Sequence, residues 1–253
     1  MAYSVDLNCD IGESYFTKII GNDAEVMPFI SSCNIACGLH GGDPLTIQKA
    51  IESALSHKVN IGAHPSFPDM ENFGRKYMNL SSEELKACLR FQIGALDSMT
   101  KNRGGVLRHV KPHGALYNTA AKEYEISKII VDVIKEFSEE IVLLGMANSE
   151  MEKVAEIENI PFIAEVFADR NYTDEGLLVS RGYKNAVITD EKLVVDRSVR
   201  MILKNEIMSV NNKKIEINAQ SICVHGDTKN ALNLLKSLRI GFANQEIEVR
   251  PFL

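Results

Sequence analysis

The sequence predicts an α/β fold, a distorted seven-stranded (β/α) barrel, and three observations carry that prediction. Short apolar, β-branched runs alternate with longer amphipathic segments along the chain, the pattern of parallel strands wrapped by helices. The runs lack regular hydrophobic–polar alternation, as strands buried on both faces do. Polar residues gather where many of the runs stop. A barrel builds its site at those C-terminal strand ends, whereas an open sheet concentrates its site at one switch point.

Strands are predicted at 5–7, 34–39, 60–63, 109–112, 141–145, 161–167 and 221–225. The first helix runs over 44–57, with Asp43 as cap, Pro44 at the first helical position and Ile47, Ala50, Ile51, Ala54 and Leu55 on one face. Ser81 and Glu84 form a capping box for the second, which lines up Leu85, Cys88, Leu89, Ile93, Leu96 and Met99. A third carries Ile126, Ile129, Ile130, Val133, Ile134 and Phe137, and shorter helices follow over 149–157, 190–204 and 228–238. The connections 64–80 and 168–190 are too long for simple turns, and long ordered loops are usually lids or binding loops. With no repeat or linker in sight, residues 1–253 are expected to form one domain; a barrel of this kind takes about 250 residues.

The formal net charge of −6 argues against a general nucleic-acid binder. No apolar run approaches a membrane span and the N-terminus lacks a secretory pattern, so a cytoplasmic protein is expected. Five irregularly spaced cysteines read as reduced, buried thiols rather than a disulfide framework.

The chemistry is expected where strands end. Asp6, Asn8 and Asp10 share one strand face at period two; facing inward, they must be paired, hydrated or ligated. His40, His64, His113 and His225 each follow an apolar run, and Lys111 shares strand parity with His113. One such histidine is more often a hydrogen-bonded core residue; four at equivalent positions point to a site. His57 and His109 lack this context and are expected at the surface or in packing. Gly41 and Gly42, before a capped helix, offer amides to an anion or simply turn the chain. No G-x-x-x-x-G-K-[S/T] occurs, so a nucleotide site of the usual kind is absent. Two mechanisms suit the cluster. A divalent metal on Asp10, His40 and His64 would generate a hydroxide. Alternatively, Asp10 or a histidine is a general base, with Lys111 and backbone amides steadying an oxyanion.

The segments DLNCDIGE (6–13), NIACGLHGGDP (34–44), IGAHPSFPD (61–69), FGRKYMNLS (73–81), VKPHGALYN (110–118), EVFADRNYTDEGLLVSRG (165–182) and ICVHGDT (222–228) occur in this order over nearly the whole chain. Together they resemble the LamB/YcsF family, whose fold is similar to the seven-stranded barrel of sugar deacetylases. The resemblance implies ATP-dependent opening of 5-oxo-L-proline to L-glutamate, a 5-oxoprolinase reaction shared with two further subunits. Carried over position by position, it implies Asn8, Asp10, Glu13, His40, His64, Lys111, His113, Asp169, Arg170 and His225 as site residues. The loop 69–73 is more polar than the family's glycine-containing form, and Lys184-Asn185-Ala186 replaces a smaller pair. With no P-loop here, ATP would be used on a partner, and this chain would hydrolyse a phosphorylated lactam. Arg75, Arg170 and Arg181 on the two long loops are candidates for gripping phosphate or carboxylate. The alternatives are a metal-dependent deacetylase or amidohydrolase acting on a small amide or sugar, and a non-catalytic subunit that stimulates an ATPase.

Overall fold

The computed structural model describes residues 3–226 and 230–252. In chain order the elements are β1 (Tyr3–Ile11), α1 (Asp23–Val26), a 3₁₀ turn (Met27–Phe29), β2 (Ser32–Ala36), α2 (Pro44–His57), β3 (Asn60–His64), α3 (Ser82–Lys101), β4 (Leu107–Val110), α4 (Gly114–Ala120) and α5 (Tyr124–Phe137). Then come β5 (Val142–Met146), α6 (Glu150–Ile157), β6 (Phe162–Phe167), α7 (Glu191–Lys204), β7 (Glu206–Met208), β8 (Lys214–Glu216), β9 (Ser221–Val224), α8 (Ala231–Asn244) and β10 (Ile247–Val249). Each of the seven expected strands is present. They join in the order β1–β2–β3–β4–β5–β6–β9, and β9 pairs back onto β1, so the parallel sheet closes on itself. The fold is the seven-stranded barrel that the alternation predicts.

Local chemistry explains the helices. The Asp43 side chain accepts from the Leu45 and Thr46 amides, and Pro44 opens α2. The capping box of α3 is complete, with Ser81 and Glu84 bonding each other's backbone. Both helices turn their apolar faces to the strands, burying Ile47, Ala50, Ile51 and Ala54 from α2 and Leu85, Leu89, Ile93 and Leu96 from α3. The last helix is described from Ala231; its expected start at Asp227-Thr228 lies outside the described residues. Six elements go beyond the sequence prediction, α1 and the 3₁₀ turn among them. α4 begins directly after His113, β7 and β8 form a small antiparallel pair, and β10 adds to the N-terminal half of β1, with Tyr3 opposite Ile247 and Val5 opposite Val249.

The barrel interior is polar. Asp6 accepts from Ser31 and Ser32 and from Ser221. One step higher, the Asn8 amide donates to Glu165 and Ser221, and the Asn34 amide donates to Asn8 and Asp10. His109 donates from Nε2 to the Asn34 carbonyl oxygen at 2.8 Å. The three polar residues of β1 therefore face inward as expected, but Asp6 is consumed by serine hydroxyls far from the strand ends. Burial raises its carboxyl to about 6 against those hydrogen bonds. His57 is exposed on α2, whereas His109 is an interior packing residue.

His109 fits because Gly62, its register partner on β3, has no side chain. A Cβ on Gly62 would lie inside the His109 ring. Gly62→Ala should therefore destabilise the fold by at least the ~1–3 kcal/mol typical of overpacking. Adding His109→Ala should return part of that loss. Urea unfolding of both variants checks this, and equal midpoints for Gly62→Ala and the parent would refute it.

Candidate active site

Most of the expected site residues converge above the C-terminal ends of the strands, whereas Asn8 lies beneath them with its amide spent on Glu165 and Ser221. Asp10 ends the inward row of β1, His64 closes β3, and Lys111 follows β4 with its amide bonded to the Ala63 carbonyl. His113 stands at the N-terminus of α4. Gly41 brings the turn carrying His40 against the first connection, because any Cβ there would strike the backbone of Glu13. The Gly41-Gly42 pair thus serves close backbone approach.

A cavity of about 320 Å³ opens among Asp10, His64, Lys111, His113, Tyr117 and His225, with Arg75, Arg170 and Arg181 from the two long loops also in its wall. His40 and Glu13 stand behind His113: the rings of His40 and His113 stack at 3.8 Å, and Glu13 Oε1 is 3.6 Å from His113 Nδ1.

Lys111 ties the interior to this mouth. Its Nζ lies 2.8 Å from Glu165, 3.0 Å from Asp10, 3.2 Å from the Asn8 carbonyl and 3.1 Å from the Cys223 sulfur. Burial opposes its charge, but Asp10, Cys223 and Glu165 hold its proton well above the ordinary lysine range. Burial likewise works against Asp10, yet His64, 3.5 Å away, and the Lys111 ammonium outweigh it and hold the carboxyl well below the usual range. Asp10 is an ionised acceptor at neutral pH. Three protons on Nζ facing four acceptors leave little for an oxyanion, so the geometry makes Lys111 the clamp of two carboxylates rather than an oxyanion donor.

His225 Nδ1 lies 3.0 and 3.1 Å from the two oxygens of Asp169. Burial resists the charge on Asp169, but His225, Arg181 and Arg170 hold its carboxyl below the ordinary value. An ionised carboxylate only accepts, so Nδ1 carries a proton, and in the neutral ring Nε2 keeps the lone pair. Arg170 differs from its expected gripping role. Its Nε and Nη2 bond the Ala186 and Val179 carbonyls of its own loop, and burial beside Arg181 lowers its guanidinium to about 10. It organises the loop 168–190 from the same cavity wall that carries Arg75 and Arg181.

The donor set for a metal also differs from Asp10, His40 and His64. One ligand atom from each of Glu13, His40, His64 and His113 lies within 4.8 Å of the others, whereas Asp10 Oδ1 is taken by Asn34 and the Lys111 ammonium. This His/Glu cluster could hold a metal ion. Sequence reasoning missed Glu165, Tyr117 and Phe73. Glu165 sits inside an apolar strand at the parity of its inward face, and Tyr117 donates to it at 2.7 Å; a carboxylate at that parity was the available signal. Phe73 packs its ring edge-on against His40 and His113 and accepts from His113 through its carbonyl, and no side-chain pattern reports the carbonyl contact.

A closed parallel barrel with ionised groups, arginines and a small-molecule cavity at its C-terminal mouth defines a class, the α/β barrels that act on or bind small ligands there. Within that class this chain belongs to the LamB/YcsF family, whose sequence model matches residues 5–253. It is 48% identical over 247 residues to a 5-oxoprolinase subunit of Alkaliphilus metalliredigens (strain QYMF), covering 98% of this chain and 96% of that one. The crystal structure of a lactam utilization protein from Thermus thermophilus superposes with a TM-score of 0.93 at 37% identity, over 98% of this chain and all (100%) of that one. The catalytic domain of a peptidoglycan N-acetylglucosamine deacetylase from Eubacterium rectale ATCC 33656 superposes with a TM-score of 0.50 at 8% identity, over 100% of this chain and 90% of that one. That likeness is one of fold alone.

Proposed function

We propose that this chain is the lactam-opening component of an ATP-dependent 5-oxoprolinase, acting as one domain with two partner subunits to convert 5-oxo-L-proline to L-glutamate. The observation that carries the proposal is the presence, in the wall of one cavity, of ionised Asp10 and of His225 held by Asp169, with Arg75 and Arg181 in the same wall. Relatives that match along nearly their whole length, one named as a 5-oxoprolinase subunit and one as a lactam utilization protein, support it.

An unstrained five-membered lactam resists water because its nitrogen lone pair is delocalised into the carbonyl. Phosphorylation of the carbonyl oxygen removes that resistance, and a sequence without a P-loop is consistent with a partner carrying out this step. The activated lactam then enters the cavity. One water adds to the ring carbon while Asp10 or His225 Nε2 takes its proton; the C–N bond breaks, and the nitrogen takes a proton back. The product is an acyl phosphate, which a second water converts to carboxylate and phosphate. Arg75 and Arg181 suit the substrate carboxylate and the phosphate. Tyr117 and Lys111 fix Glu165 and Asp10 and so hold the wall rigid. ATP as co-substrate and the free cysteines among the described residues support a cytoplasmic setting.

The test is glutamate release from 5-oxoproline and ATP in the reconstituted complex. Release is expected only with this chain present, and Asp10→Asn should reduce it by about 10²–10⁴-fold. ATP consumption by this chain alone, in step with ring opening, would refute the division of labour. An Asp10→Asn complex with undiminished turnover would make the chain a stimulatory subunit.

A further inference from the structure

His64 and His113 present a proton-counting problem. His64 Nδ1 is 2.7 Å from the Lys111 carbonyl oxygen, and His113 Nε2 is 2.9 Å from that of Phe73. A carbonyl only accepts, so both outer nitrogens carry their protons. The two inner nitrogens, His64 Nε2 and His113 Nδ1, then point lone pairs at each other across 2.9 Å. Neutral rings in this arrangement repel. Something positive must stand between or beside them.

The same spot is lined by two more donors. Glu13 Oε1 lies 3.6 Å from His113 Nδ1 and 3.5 Å from His40 Nε2. His40 is buried, and neither of its ring nitrogens has a hydrogen-bond partner among the described residues. A buried polar atom without a partner costs about 1–3 kcal/mol, which makes His40 an unexplained expense of the fold as it stands. A single added proton would settle the His64–His113 pair and leave His40 as costly as before. A metal ion settles all three rings at once.

We propose that Glu13, His40, His64 and His113 form a site for one divalent transition-metal ion of the zinc class. Three imidazole nitrogens and one carboxylate oxygen are a donor set that suits such an ion. Tetrahedral ligands at about 2.0–2.2 Å from the ion stand roughly 3.3–3.6 Å from one another, and the gaps of 2.9, 3.5 and 3.6 Å already bracket that spacing. The outer hydrogen bonds of His64 and His113 to backbone carbonyls orient the rings as metal-bound histidines require. A lone pair lies in the plane of its ring, so the stacked rings of His40 and His113 tilt toward each other when the ion enters. Asp10, paired with the Lys111 ammonium, is the site's neighbour and not a ligand. An ion here would supply Lewis acidity at the edge of the cavity. That use rests on the lactam-opening reading, whereas the binding site stands without it.

The test measures metal directly. The full chain, purified without chelator, is expected to carry close to one equivalent of metal by elemental analysis. After stripping, Co²⁺ should restore the intense visible bands of a four-coordinate site. Glu13→Gln, His40→Gln and His113→Ala should each weaken Co²⁺ binding by more than the roughly 10–100-fold that loss of an outer partner costs, while Asp10→Asn should stay within that range. Circular dichroism shows which variants fold, and any one folded ligand variant suffices. A folded parent protein that retains no metal and develops no cobalt bands would overturn the proposal. So would loss of binding in Asp10→Asn with retention in a ligand variant. Glutamate release by the same preparations, each reconstituted with the partner subunits, separates the two readings. Metal-loaded protein inert in that assay supports the site and counts against the function. Stripped protein with undiminished release, if Co²⁺ also fails to bind, removes the site and leaves the function.

Discussion

Replacing Lys111 by Met should cost the protein a large share of its stability and abolish glutamate release. The substitution keeps an unbranched side chain of similar length but removes the one ammonium that bridges Asp10 and Glu165, with side chains only 8% and 0% exposed. Breaking a buried pair from one side leaves an uncompensated charge and costs about 3–5 kcal/mol. Against a total of roughly 5–15 kcal/mol, this lowers the melting temperature by roughly 6–20 °C for a chain of this size. The pH dependence gives the signature. In the parent, the Asp10 carboxyl is depressed in the fold, so its contribution is complete above the unfolded value near ~3.9 and is lost as pH falls through the folded one. In the variant the Asp10 carboxyl keeps its burial but loses the ammonium, and so rises. A carboxyl raised above its unfolded value makes a contribution that is complete below that value and is lost as pH rises through the folded one. The variant should melt higher at pH 5 than at pH 8. Thermal melts decide: a variant within 2 °C (about 0.5–1 kcal/mol) of the parent at pH 8 would show that no clamp exists.

Asp169→Asn should lower kcat for glutamate release by about 10²–10⁴-fold in the complex, with little change in KM. The carboxylate holds the proton of His225 on Nδ1 through both its oxygens. An asparagine amide can present a donor to that nitrogen instead and stabilise the other tautomer, which removes the lone pair from Nε2. In serine-protease triads the same aspartate-to-asparagine change costs about 10⁴ for this reason. The ring's place is also held by its stack on Phe167 at 5.3 Å, so the substitution should disturb protonation more than position. Steady-state kinetics against pH check this. A kcat within twofold of the parent (under about 0.5 kcal/mol) would exclude His225 as a proton-transfer group.

The strands and most helices were legible because each carries its own signal, such as the Asp43-Pro44 start or the Ser81–Glu84 box. The three-residue β7, β8 and β10 carry no periodicity long enough to read. The convergence of His40, His64, His113 and His225 was legible because strand order and polarity put strand ends at one mouth. His109 was not, because its environment is created by Gly62 on the neighbouring strand. The difference between the expected metal donors, with Asp10, and the proposed ones, with Glu13 and His113, has the same origin. Only the fold reveals that Lys111 has already claimed Asp10, and that a glycine turn delivers Glu13 to His40. Arg170 looked like a ligand-binding cation because sequence cannot say that two of its nitrogens end on loop carbonyls.

The ladder of hydrogen-bonded groups inside the barrel has one wet rung. Asp10 at the top is 7% accessible and lines the cavity, while Asp6, Asn8, Asn34, His109 and Glu165 beneath it are at most 1% accessible. Phe252 meets the His109 ring from the C-terminal tail. Bulk water meets the ladder at its mouth, and the lower rungs are shut off from it. The shaft behaves as a dry electrostatic keel that fixes the charge of the group above it.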